Sequence, residues 1–243
     1  MSAIIFGSIG TISDTSELQR QAFNQAFEFH GLDWCWHRDK YLSMLKSSGG
    51  QQRIANYAHS FGQTVDVEAI HRSKSELFQK SLFESQVLPR LGVAETIQAA
   101  KDRGWQLALV TTTSPENVSS LVKALQSEVQ IADFDLILNA THVKHPKPDK
   151  EVYVLALERL GESSDQCIVI EDNLEGLESA RLAGLDCIAF PNENTAHHNF
   201  TNAKLLVDRL SFGELEKLCL REYVWKGGEI IYLDSGDLWN LEK

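Results

Sequence analysis

The sequence predicts an α/β fold: a Rossmann-like parallel sheet core carrying an inserted all-helical domain. Three observations lead there. Short apolar runs recur between residues 89 and 208, each followed by a stretch with helical spacing. Strands alternating with helices of about 10–15 residues form right-handed βαβ units and a parallel sheet. One earlier run, Ala3-Ile4-Ile5-Phe6, opens the chain and is followed by helical patterns alone up to about residue 86.

The opening run breaks into Gly7-Ser8-Ile9-Gly10-Thr11, so it reads as a buried strand ending in a tight turn. Open α/β sheets place their ligands at the C-terminal ends of such strands. Residues 16–27 put Leu18, Ala22, Phe23, Ala26 and Phe27 at helical spacing, with Thr15 or Ser16 as the cap and Gly31 as the stop. Helical patterns continue over 41–46, 53–60 and 67–84. Lys46-Ser47-Ser48-Gly49-Gly50-Gln51-Gln52-Arg53 is a small-residue turn opening a helix, with Arg53 near its first turn. The expected division is a helical cap domain at 15–88 inserted into a core formed by 1–14 and 89–243. Within that core, helices are expected at 94–103, 114–125, 150–160 and 174–183. Strands are expected at 105–111, 134–139, 166–171 and 186–190, with a short one at 205–207. A tail from 213 to 243 adds a helix at 214–220 and a strand near 227–233.

The chain has 243 residues, 43% of them hydrophobic and 23% charged, enough to bury a sizeable core. Its net charge of −11 argues against nucleic acid or an anionic membrane as partner. No apolar run is long enough to span a bilayer, and no charged segment precedes the first strand as in a signal peptide. Cys35, Cys167, Cys187 and Cys219 are scattered, which suits reduced thiols in a cytoplasmic protein.

Three later strand ends carry polar groups. Thr111-Thr112-Thr113-Ser114 offers hydroxyls, Lys147-Pro148 a cation, and Glu171-Asp172-Asn173 two adjacent carboxylates. Hydroxyls, a lysine and turn N–H groups suit a phosphoryl group, and the carboxylates suit Mg²⁺. By strand alternation, Ser8 is expected to point away from this edge, with no base beside it.

The order and spacing of these segments resemble the haloacid dehalogenase superfamily. Gly10, Thr11 and Asp14 match its first motif, Thr111 its second, Lys147-Pro148-Asp149 with Tyr153 its third, and Glu171-Asp172-Asn173 with Gly176 its fourth. Ala22-Phe23-Asn24, His30-Gly31-Leu32, Gly49-Gly50-Gln51-Gln52-Arg53 and Asn117-Val118 are similar to the CbbY-like branch of sugar-phosphate phosphatases, which includes β-phosphoglucomutase relatives. The resemblance implies an aspartate nucleophile, an aspartate acid–base and Mg²⁺ between them. Those two aspartate positions hold Gly7 and Ile9 here, so no catalytic residue is intact. The resemblance assigns Gly10, Thr11, Thr111, Thr112 and Lys147 to phosphate. It assigns Asp172, Glu171 and the Ile9 carbonyl to a Mg²⁺ whose binding is weakened or lost. Arg53 and Gln19 become substrate contacts from the cap, Gln19 standing where relatives often have histidine. The expectation is a pseudophosphatase that binds a phosphorylated small molecule, a sugar phosphate. An active hydrolase with a non-standard nucleophile and a structural module with a protein partner are the alternatives.

Overall fold

The computed structural model describes residues 2–45, 49–125, 128–219, 222–226 and 229–233. Strand β1 (Ala3–Phe6) is fully buried, as befits an apolar run covered on both faces. It leads into a short helix, α1 (Ile9–Ile12), where a turn was expected. Ser8 makes that helix possible: its Oγ accepts the Thr11 N–H as an N-cap.

Four helices follow: α2 (Ser16–Phe29), α3 (Arg38–Ser43), α4 (Gly50–Ser60) and α5 (Val67–Glu84). Neither Thr15 nor Ser16 caps α2 through its side chain; Asp14 Oδ1 accepts the Ser16 N–H instead, at 3.0 Å. The four helices enclose an apolar cluster of their own, including Phe23, Phe27, Trp34, Trp36, Tyr41 and Ile70. Trp34 and Trp36 come from the α2–α3 connection, pinned because Asn24 bonds both the N–H and the C=O of Trp36. The expected turn at Lys46-Ser47-Ser48 lies outside the described residues.

The chain then returns through α6 (Val93–Asp102), β2 (Gln106–Val110), α7 (Pro115–Ala124), β3 (Leu136–Leu138), α8 (Glu151–Leu160), β4 (Cys167–Glu171), α9 (Leu174–Leu182), β5 (Asp186–Ala189), β6 (Leu205–Leu206) and α10 (Phe212–Cys219). The strands form one parallel sheet in the order β3-β2-β1-β4-β5-β6. Ile4 and Phe6 pack on the face that also buries Ile97, Leu121 and Leu215. Ala3 and Ile5 pack on the opposite face with Val152, Tyr153 and Leu177. β3 is shorter than expected because residues 131–133 form a 3-10 turn ahead of it. In the tail, β8 (Glu229–Leu233) pairs antiparallel with β7 (Glu222–Lys226), a partner the sequence reading had not placed. The expected ends of the tail helix at Leu220 and of its strand at Gly227-Gly228 lie outside the described residues.

Phe6 lies in register with Leu109 and Ile170, so the ends of β2, β1 and β4 finish level. That alignment gathers Thr111, Gly7 and Glu171 into one shelf. The helical segment sits over it. Gln79 Nε2 on α5 donates to Asn117 Oδ1 on α7 at 3.0 Å, and Arg38 pairs with Glu193 across exposed surface at 2.9 Å. The two connections between shelf and helices are tied together: Arg90 N–H donates to Ile12 C=O and Ser13 Oγ to Leu88 C=O. No helix among the described residues is long and apolar enough to cross a membrane.

Candidate functional site

A cleft of about 520 Å³ separates the strand ends from the helical segment. Its floor includes Gly7, Ser8, Thr112, Lys147, Asp172 and Asn192; its roof includes Gln19, Arg53, His71 and Lys74.

On the floor, Lys147 is 6% exposed and its side chain runs inward. Nζ contacts the C=O of Gly7, the C=O of Val110 at 2.8 Å, Tyr153 Oη at 3.0 Å and Glu171 Oε1 at 2.7 Å. An ammonium has three N–H donors, and four oxygens surround this one. Tyr153 Oη also donates to Glu171 Oε1 at 2.7 Å. Burial pushes the Glu171 carboxyl upward, while the Lys147 charge and the two hydrogen bonds pull it back. Burial, then the Glu171 carboxylate, drives the Tyr153 phenol far above its usual range, so it stays a donor.

The missing side chain at Gly7 makes this arrangement possible. A Cβ built there would fall inside the contact shells of Glu171 Oε1 and Tyr153 Oη. A Cβ at Gly176 would meet the same carboxylate from the other side. Glu171 therefore fills a slot between two glycines and is wholly buried. The sequence reading set its carboxylate toward a metal; the structure turns it toward Lys147, because nothing at position 7 holds it out.

Asp172 does face the cleft, but both its oxygens are engaged. Oδ1 accepts from Ser8 Oγ at 2.7 Å and Asn173 Nδ2 at 2.9 Å; Oδ2 accepts from Asn192 Nδ2 at 3.2 Å. Ser8 thus points into the site, contrary to expectation, since α1 begins directly after it and breaks the strand alternation. Thr11 is a second departure: it is fully buried, its hydroxyl donates to Ser8 C=O at 2.6 Å, and it does not line the cleft. Gly10, Thr111 and Thr112 do line it. The side chain of Ile9 is 7% exposed and packs in the main apolar cluster.

Mg²⁺ demands near-octahedral oxygen ligation, with carboxylates among the ligands. Among the described residues, no three His, Cys, Asp or Glu side chains converge as a metal site. Asp172 is the carboxylate that faces the cleft, three donors already lie on it, and Glu171 is turned to Lys147, so these side chains offer Mg²⁺ little anionic ligation.

The roof differs. Lys74 is 4% exposed, lies between the rings of Phe23 and Phe78 at 4.8 and 4.9 Å, and donates to Gln19 Oε1 at 3.1 Å. Burial, with Arg53 nearby, pulls its ammonium down to about 7. Burial and the charges of Lys74 and Arg53 hold His71 down to about 4, so it is neutral at physiological pH. Arg53 lies over the Tyr41 ring at 5.7 Å and donates Nε to Met44 C=O at 3.1 Å. Arg53 and Gln19 both line the cleft, together with Lys74 and His71. A signal for Lys74 was in the sequence: it falls four residues from both Ile70 and Phe78, on the apolar stripe of α5.

The family model described as haloacid dehalogenase-like hydrolase matches residues 4–190. The chain is 39% identical over 216 residues to protein CbbY of Cereibacter sphaeroides, covering 88% of this chain and 93% of that one. It is 32% identical over 220 residues to a CBBY-like protein of Arabidopsis thaliana, covering 85% and 68%. Among solved structures, CbbY from Rhodobacter sphaeroides in complex with phosphate superposes with a TM-score of 0.80 at 38% identity, covering 88% of this chain and 96% of that one. A variant of the same protein in complex with xylulose-(1,5)bisphosphate gives the same figures.

Proposed function

Because the chain belongs to the haloacid dehalogenase-like hydrolase family, in its CbbY-like sugar-phosphate phosphatase branch, we propose that it binds a phosphorylated sugar without hydrolysing it. One observation carries this reading: the nucleophile's slot is filled by the Glu171 carboxylate, clasped by Lys147 and Tyr153. No carboxylate stands at the end of β1, at position 7, to attack phosphorus, and Ile9 cannot carry a proton to a leaving oxygen. Acid–base help alone is worth about 10²–10⁴-fold, and covalent catalysis is lost with it. Support for the ligand class comes from the cleft, which sets hydroxyl and amide side chains on its floor against a buried ammonium in its roof. The relatives in complex with phosphate and with xylulose-(1,5)bisphosphate fit the same class. A reducing compartment such as the cytoplasm suits four free cysteines, Cys167 and Cys187 of them buried.

The test is turnover of p-nitrophenyl phosphate and a panel of pentose and hexose phosphates with Mg²⁺, using protein free of host phosphatase. The expected result is none above background. Turnover on the order of 1 s⁻¹, in the ordinary enzymatic range, overturns the reading. A second reading rests on one contact: Ser8 Oγ donates to Asp172 Oδ1 at 2.7 Å, the pattern of a hydroxyl nucleophile with its base. Any turnover abolished by both Ser8→Ala and Asp172→Asn selects it.

A further inference from the structure

We propose that the cleft holds its ligand the opposite way round from a metal-dependent phosphatase: the anionic group lies against Lys74 in the roof, the hydroxyl-bearing end lies on the strand ends, and no divalent cation takes part. This rests on the reading above that the ligand is a phosphorylated sugar.

The floor offers an anion little. Lys147 is surrounded by four protein oxygens and is paired with Glu171. The next charge is the Asp172 carboxylate, which repels a phosphate dianion. In a metal-dependent site a bound cation reverses that repulsion, and here Asp172 already accepts from Ser8, Asn173 and Asn192 while Glu171 is turned to Lys147, with no cluster of three His, Cys, Asp or Glu side chains among the described residues. What remains on the floor is neutral: Ser8, Thr112, Asn173 and Asn192 line the cleft with hydroxyl and amide groups. These are the partners of a polyol.

The roof is the reverse. Lys74 gives one N–H to Gln19 Oε1, and its other neighbours are two aromatic faces. No carboxylate among the described residues pairs with it. A buried ammonium without an anion is costly to hold, and it opens onto the cleft. The charged and titratable groups around it come from three elements. Arg53 on α4 adds a positive charge, which Glu175 at the start of α9 offsets. His71 on α5 is neutral. Lys74 is therefore the uncompensated cation of the cleft, and a phosphate supplies what it lacks.

Calorimetric titration of the intact chain with a panel of pentose and hexose monophosphates tests this, in EDTA and again in Mg²⁺. The expected result is binding that differs less than about twofold between the two buffers. Lys74→Met keeps the stem between Phe23 and Phe78 and is expected to weaken binding at least about tenfold while melting no lower than the parent. Asp172→Asn is expected to bind equally well or more tightly. If EDTA and Asp172→Asn each abolish binding while Lys74→Met leaves it intact, the ligand sits phosphate-down on a metal; the inverted orientation fails and the sugar-phosphate reading stands. If no monophosphate binds in either buffer, the sugar-phosphate reading itself fails and takes the orientation with it.

Discussion

Two buried lysines face each other across one cleft, and their surroundings differ. Lys147 lies in a cage of oxygens with Glu171 as counter-charge. Lys74 has one amide oxygen and two aromatic faces. Both are less than a tenth exposed. The first charge is compensated by the protein and so belongs to the fold. The second is left for something outside the chain to compensate. Burial alone does not distinguish a structural lysine from a binding one; the count of oxygens within reach does.

Substituting each lysine by methionine should therefore move stability in opposite directions. Lys147→Met leaves Glu171 buried without its partner, so a loss of about 3–5 kcal/mol in denaturant unfolding is expected. A loss under about 1 kcal/mol would mean that Glu171 is held as a neutral acid and that the cage is not ionic.

The next effect concerns the slot itself. Gly7→Asp places a side chain where Glu171 now lies, and overpacking of this kind costs about 1–3 kcal/mol. The new carboxylate also displaces Glu171 toward the cleft, beside Asp172, where oxygen ligands for a hard cation begin to accumulate. Mg²⁺ should then raise the melting temperature of Gly7→Asp and leave the parent unchanged. Adding Ile9→Asp should give measurable phosphatase activity with Mg²⁺. An inert, folded double variant that binds Mg²⁺ would show that the floor has changed beyond position 7 and position 9.

Lys74 should also show in the pH dependence of stability. Its ammonium is pulled from an ordinary 10.5 down to about 7 by burial. Between those values the unfolded chain binds the extra proton, so stability from this group rises as pH goes from 7 toward 10.5, and its full penalty is present below 7. Lys74→Met should remove that slope and raise the melting temperature at pH 6, by about 2–4 °C for each kcal/mol recovered. A parent and variant with parallel pH profiles would show that Lys74 is not strained. The smallest effect expected is at the exposed Arg38–Glu193 pair between roof and floor. Glu193→Gln should change stability by less than about 1 kcal/mol, as exposed ion pairs do.

Much of this was legible in the sequence. The periodicity from residue 89 onward yields the parallel sheet because the central strands β2 and β4 are apolar runs buried on both faces and the helices between strands bury one face, and that pattern is local. Thr111 and Asp172 were legible as cleft residues because they follow β2 and β4, whose ends are level, whereas Lys147 lies well past the end of β3 and is brought in by the fold. The direction of Glu171 was not. It depends on an absent Cβ at Gly7 and another at Gly176, distant in sequence and joined only by the fold. The direction of Ser8 was not legible either, because strand alternation ends at Gly7 and Ser8 is already the cap of α1. Lys74 stands on the apolar stripe of α5 in the sequence, but a lone lysine on a helix is usually solvated, and it is the packing of α2 against α5 that buries it.

The central claim is that the strand ends are closed by the chain's own lysine–glutamate pair. Its most direct test is a calorimetric titration of Mg²⁺ into metal-stripped protein, with inorganic phosphate present at millimolar concentration. The account predicts no saturable binding up to several millimolar Mg²⁺. A stoichiometric site with a Kd below about 1 mM, lost in Asp172→Asn, would contradict it.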